Sequence, residues 1–107
     1  MAEITPNELR NAIANGESVE DKDLSLLDLS GLDLSGAKLK GANLAKTKLV
    51  KTSFKDADLS GVTFHDALLA DTDFTGANLS GVKIRDLDLR ECTIDHITAT
   101  TAQFMRV

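Results

Sequence analysis

The chain contains no tryptophan and no tyrosine, and its four aromatic residues are all phenylalanine. That suits a narrow interior of aliphatic rungs. A single cysteine, Cys92, excludes an intrachain disulfide framework and fits a reducing compartment. No apolar run approaches the length of a membrane span, and the N-terminus lacks the basic-then-apolar pattern of an export signal. The expectation is a soluble, cytoplasmic protein, with delivery into another cell left open. With 107 residues, 42% of them apolar, the chain has enough material for one core.

What the sequence does have is a period. From Leu24 to Phe104 every fifth residue is apolar, seventeen in succession, with Ala99 the one weak member. Five matches neither the 3.6 of a helix nor the 2 of a strand, so the chain must turn in some other regular way, as a solenoid does. Two residues before each of these sites lies a second small or apolar side chain, such as Ala37, Ala57, Val62, Thr72 or Cys92. Between the two sit polar residues such as Asp28, Asp33, Asn43, Asp58 and Asn78, placed to face water. Glycine recurs two places beyond the large residue, at 31, 36, 41, 61, 76 and 81, where a turn needs backbone angles that a side chain resists.

Segments such as Ala42-Asn43-Leu44, Ala57-Asp58-Leu59-Ser60-Gly61 and Ala77-Asn78-Leu79-Ser80-Gly81 resemble the A-(D/N)-L-X-X unit of the pentapeptide-repeat proteins, over about four fifths of the chain. The resemblance implies an all-β fold: a right-handed quadrilateral parallel β-helix of about four coils, one pentapeptide to a side and twenty residues to a coil. Four inward columns follow: Leu24/Leu44/Phe64/Ile84/Phe104, Leu29/Leu49/Leu69/Leu89, Leu34/Phe54/Phe74/Ile94 and Leu39/Leu59/Leu79/Ala99. Phe54 and Phe74 should stack, coils should lie about 4.8 Å apart, and four sheets should wall the core.

Residues 1–20 follow other rules and read as a capping helix and linker, ahead of a repeat domain over 21–107. Thr5, Pro6 and Glu8 form a capping box with proline at the first helical position, Leu9, Ala12 and Ile13 share a face, and Gly16 ends the helix. Such a helix would cover the first coil. No comparable cover is visible at the other end. Pentapeptide-repeat proteins often pair there, which implies a homodimer through Ala99, Phe104, Met105 and Val107; the plainer reading is a tail folded over the last coil.

Charge is zoned. Residues 1–37 balance to −6, residues 38–55 carry six lysines and no acid, and residues 56–107 balance to −5. The plain reading of this belt is neutralisation between coils, Lys46 near Asp66 and Lys51 near Asp71, each exposed pair contributing about 0–1 kcal/mol. With no exposed aromatic beside the belt and a net charge of −5, the sequence argues against nucleic-acid binding. Some members of the resembled family imitate DNA and bind type II topoisomerases such as DNA gyrase. That alternative needs a continuously acidic rod, which the belt interrupts.

One side departs from the pattern. Leu68 occupies a position usually held by Asp or Asn, with Val50 and Ala70 at outward positions on the same column of the helix and Lys48, Asp88 and Arg90 as a charged rim around them. This is a candidate protein-contact patch, to be weighed against harmless exposure of one leucine. Catalytic residues are badly disposed: His65 should point out from the middle of a flat side, His96 should lie at a corner, and Cys92 should fill the interior over Thr72. The aspartates form ladders that do not converge on a metal, and no glycine-rich phosphate loop precedes a helix. The expectation is a non-enzymatic interaction or scaffolding module with no cofactor and a protein partner the sequence does not name.

Overall fold

The backbone turns at each fifth residue, and the hydrogen bonds show how. From Leu29 to Leu79, the amide three residues beyond each large apolar residue donates to that residue's carbonyl, as from Leu32 to Leu29 (3.2 Å), Ala57 to Phe54 (3.0 Å) and Val82 to Leu79 (3.1 Å). The residue at this third turn position has φ between 58° and 74° at every described position of the series from Asp21 to His96. A four-residue closure with a left-handed third residue is the type II turn. The computed structural model describes residues 4–85, 92–100 and 103–105, residue 85 and the last three by backbone alone.

Four such turns bring the chain back over itself. Parallel bridges join Ser18 to Lys38, Asp23 to Asn43, Asp28 to Lys48, Asp33 to Ser53, and so on to Asn78 and Thr98, each pair twenty residues apart. The bridged residue is the polar one preceding each large apolar residue. In an extended segment the neighbours of an outward residue point inward, and Leu24, Leu29, Leu34, Leu39, Leu44, Leu49, Phe54 and Leu59 are all fully buried. The sides are narrower than four sheets. Two of every five residues belong to a turn, so most rungs hold a single bridge, and the described strands are only β1, Lys83–Arg85, and β2, Gln103–Met105, paired in parallel.

Phe54 and Phe74 stack at 5.8 Å between centroids and 10° between planes, and Phe64 meets both edge-on. Beside the apolar columns runs a ladder of buried donors: Thr52 Oγ1 to Leu29 O (2.7 Å), Thr72 Oγ1 to Leu49 O (2.8 Å) and Cys92 Sγ to Leu69 O (3.3 Å). Cys92 thus does stack over Thr72, half-buried, with its thiol in a threonine's place. Outside, the bridged Asp or Asn accepts the amide two residues on, as Asp23 does from Ser25 (3.0 Å) and Asn78 from Ser80 (3.0 Å). This Asx contact shapes the entry to the turn.

Helix α1, Pro6–Ala14, precedes the first bridge. Thr5 Oγ1 accepts from the Glu8 amide and Glu8 Oε1 accepts from the Thr5 amide, closing the capping box. Gly16, at φ +72°, takes the left-handed position just past the helix. Leu9 is fully buried within the core, and Ile4, Ala12 and Ile13 pack against it.

Candidate functional site

The bridge register assembles one side from residues far apart in sequence. Asp28, Lys48 and Leu68 stand in one outward column, joined by successive bridges. Val50 and Ala70, each just after a buried leucine, stack beside it; their carbonyls accept the amides of Gly31 (2.9 Å) and Lys51 (3.0 Å). Leu68 is 54% exposed, while Val50 and Ala70 are half-buried. The structure therefore brings together three of the four patch residues named from the sequence. The fourth, Arg90, lies outside the described residues, as does Asp88.

The sequence reading missed Leu26. It is 65% exposed, the more exposed of the two large hydrophobic residues that the described surface leaves open, and it sits at a corner with φ +69°. Its amide donates to Ala45 O, which places it directly beneath Lys46. The signal was available in the repeat register: every other described left-handed position in the series holds Gly, Asp, Lys or His.

All six belt lysines are exposed, and none closes a salt bridge among the described residues. The backbone stacks Lys46 under Asp66 and Lys51 under Asp71 as the register requires, but left-handed corners aim these side chains outward and the expected pairs do not form. Lys38 Nζ instead donates to Gly16 O at 3.4 Å. The Asp28 carboxyl is held below its ordinary value by bonds from Ser30, with Lys48 adding to the effect; Asp73 is lowered by Thr75 and, more weakly, by Lys55. The lysine row on the Leu68 side thus lies between two apolar residues without a salt bridge among the described residues, with Asp28 beneath Lys48 and Asp66 and Asp71 above Lys46 and Lys51.

The residues a catalytic reading would use stay apart. His65 is not in the middle of a flat side: it is the first residue of a turn, half-buried, with Nδ1 covered and without a hydrogen-bond partner. His96 is at a corner, φ 58°. Among the described residues no three of His, Cys, Asp or Glu come together to hold a metal, and no helix is long and apolar enough to cross a membrane. Of the residues expected to pair two copies, Ala99 is half-buried, Phe104 and Met105 lie in β2 opposite Ile84 and Arg85, and Val107 is outside the described residues.

Twenty-residue coils with a turn at each fifth residue define a β-helical repeat protein that offers flat, laddered sides. The family model for the pentapeptide repeat region matches residues 19–104, and the chain belongs to the pentapeptide-repeat family, whose proteins fold as right-handed quadrilateral β-helices. Among solved structures, it is similar to a pentapeptide repeat protein of the Arabidopsis thaliana thylakoid lumen, at 26% identity and TM-score 0.75, over 94% of this chain and 66% of that one. Rfr23, from the cyanobacterium Cyanothece 51142, is 24% identical with TM-score 0.61, over 82% of this chain and 60% of its own. HetL, involved in heterocyst differentiation regulation in Nostoc, is 26% identical with TM-score 0.53, over 81% and 38%. The chain thus spans less than two thirds of the length of each. No match was found among curated proteins.

Proposed function

We propose that the chain is a non-catalytic protein-interaction or scaffolding module of about four coils, capped at one end by α1, whose contact face is built on Leu68, Val50 and Ala70. The observation that carries this reading is Leu68, 54% exposed at a bridge position where other sides carry Asp58, Asp73 and Asn78. A polar residue there would fold equally well, so the leucine answers to something other than the fold. Arg90 belongs to the same proposed face by its place in the repeat. Affinity capture from the source cell with wild type and Leu68→Asp side by side, then reconstitution of the captured protein with the purified chain, tests it. A purified partner that binds both forms equally sinks the reading.

DNA mimicry toward a type II topoisomerase such as DNA gyrase finds little support, because six exposed lysines interrupt its acidic surface in the middle of the described β-helix. A supercoiling assay separates the two: inhibition or protection at stoichiometric protein supports mimicry, and no effect supports the scaffold. A cytoplasmic location is part of the same proposal, in keeping with the chain's single cysteine. Its relative from the thylakoid lumen carries the same fold in another compartment. The end bearing Ala99, Phe104, Met105 and Val107 is proposed to meet a second copy; sedimentation of the full chain and of one lacking residues 99–107 decides, and a monomer at every concentration overturns it.

A further inference from the structure

The Leu68 side differs from the other sides in a way that identifies its occupant. Its middle coil presents Lys46, Lys48, Val50 and Lys51; the coil below presents Leu26 under Lys46, and the coil above presents Leu68 over Lys48. The two exposed leucines are two coils apart, about 10 Å at the spacing of paired strands. Elsewhere the described sides show Asp33, Ser35, Ser53, Asp73 and Thr75, or Asp58, Ser60, Asn78 and Ser80, with no exposed large hydrophobic residue.

Leu26 supplies an independent reason to read this as a built surface. Its left-handed backbone disfavours a branched apolar side chain, and its exposure returns little burial in exchange. Folding alone favours Gly or Asn at that corner, the residue types that tolerate it. Both sites where the sequence departs from its own repeat rule, Leu26 and Leu68, flank the same row of cations. Since none of those lysines closes a salt bridge within the described molecule, their charge is free to meet a partner.

We infer that this face binds an acidic, apolar peptide segment of a partner protein, whose carboxylates meet Lys46, Lys48 and Lys51 while its aliphatic side chains cover Leu26 and Leu68. This rests on the contact-face reading above and adds the chemistry of the partner. The complementarity is mixed: opposite charge at the centre steers the approach, and burial of the two leucines retains the segment. A purely anionic chain would satisfy the lysines and leave the leucines wet.

The test is selection of a random 12-residue peptide library displayed on phage against the immobilised full chain, followed by measurement of the enriched peptides in solution. The expected result is enrichment of net-negative sequences rich in Leu, Ile, Val or Phe, with affinity falling at least tenfold in Leu68→Asp, in Leu26→Asn and in Lys48→Glu, and falling as salt rises. Asp33→Asn, on another side, should change nothing. Circular dichroism of each variant reports whether it is folded, and acidic Asp already occupies positions equivalent to 26, 48 and 68 elsewhere in the chain. Enriched peptides that depend on Leu68 but are neutral or basic overturn the acidic partner and leave the contact face standing. Peptides that ignore Leu68 overturn both, as does failure to enrich any. If sedimentation shows that the wild type self-associates and that Leu26→Asn or Lys48→Glu abolishes this, a second copy is the occupant and the inference is wrong. A single-stranded oligonucleotide that competes as well as the peptides also overturns it, since it offers charge without apolar side chains.

Discussion

At Leu26 the left-handed backbone crowds the β-carbon against the following carbonyl, a conflict of about 1–2 kcal/mol for an L residue. Asparagine at this corner relieves part of it. Leu26→Asn is therefore expected to raise folding stability by about 0.5–1 kcal/mol while weakening peptide binding, an opposition that marks a residue kept for contact. Urea unfolding measures the first half, and a loss of stability would show that Leu26 packs more than its exposure indicates. Buried Thr72 gives the opposite case. Its hydroxyl donates to Leu49 O, which also accepts the Thr52 amide at 3.1 Å, so Thr72→Val leaves that carbonyl with a partner. The expected loss is about 1 kcal/mol by urea unfolding, with no effect on binding. Sequence patterning exposed Leu68 because an apolar residue stands at a repeat position that is usually Asp or Asn. It passed over Leu26 because a leucine beside Leu27 and Leu29 hides in a locally apolar run, although its place two residues beyond Leu24, where Gly stands in the next three units, marks a turn position outside the core.

Among elements, the turns carry the pH dependence. Asp23 is lowered by Ser25, Asp28 by Ser30, Asp33 by Ser35 and Asp73 by Thr75, in each case by hydrogen bonds to the carboxylate; Glu8 is lowered by the Thr5 amide and hydroxyl. A carboxyl whose folded value lies below its unfolded one adds stability that is complete above the unfolded value, about 3.9 for Asp and 4.3 for Glu. That contribution disappears as pH falls through the folded value. Stability should therefore be level from pH 7 to about 5 and decline below about 4. Asparagine makes the same turn contact at 43 and 78, where the amides of Ala45 and Ser80 donate to its side-chain oxygen. Replacing Asp23, Asp28, Asp33 and Asp73 together by Asn should preserve the fold and flatten the acid limb of the urea-midpoint curve; an unchanged limb would place the acid sensitivity elsewhere. The capping box of α1 was legible because Thr5, Pro6 and Glu8 announce it by type and spacing. The narrowness of the sides was not, since bridge width depends on how many of the five residues the turn consumes.

For the molecule as a whole, a five-residue period separates fold from site, because any deletion of one unit preserves inward and outward facing but rotates everything beyond it by one side. Removing residues 58–62 joins Ala57 to Thr63, so Phe64 takes the place of Leu59 above Leu39 and later large residues still point inward. The Phe54–Phe74 stack is lost, at about 0.5–1.5 kcal/mol beyond buried area. Leu68, however, moves from above Lys48 to above Asn43, off the side that holds Val50 and Lys51. The shortened chain should keep its circular dichroism spectrum and a cooperative, lower melting transition, yet lose the acidic peptides that the full chain enriches. Deleting four residues, 58–61, breaks the register and should abolish cooperative melting altogether. If the five-residue deletion still binds those peptides, the contacts cannot be spread over stacked coils as Leu26, Lys48 and Leu68 are, because that deletion leaves every one of these residues present and changes only which side one of them occupies.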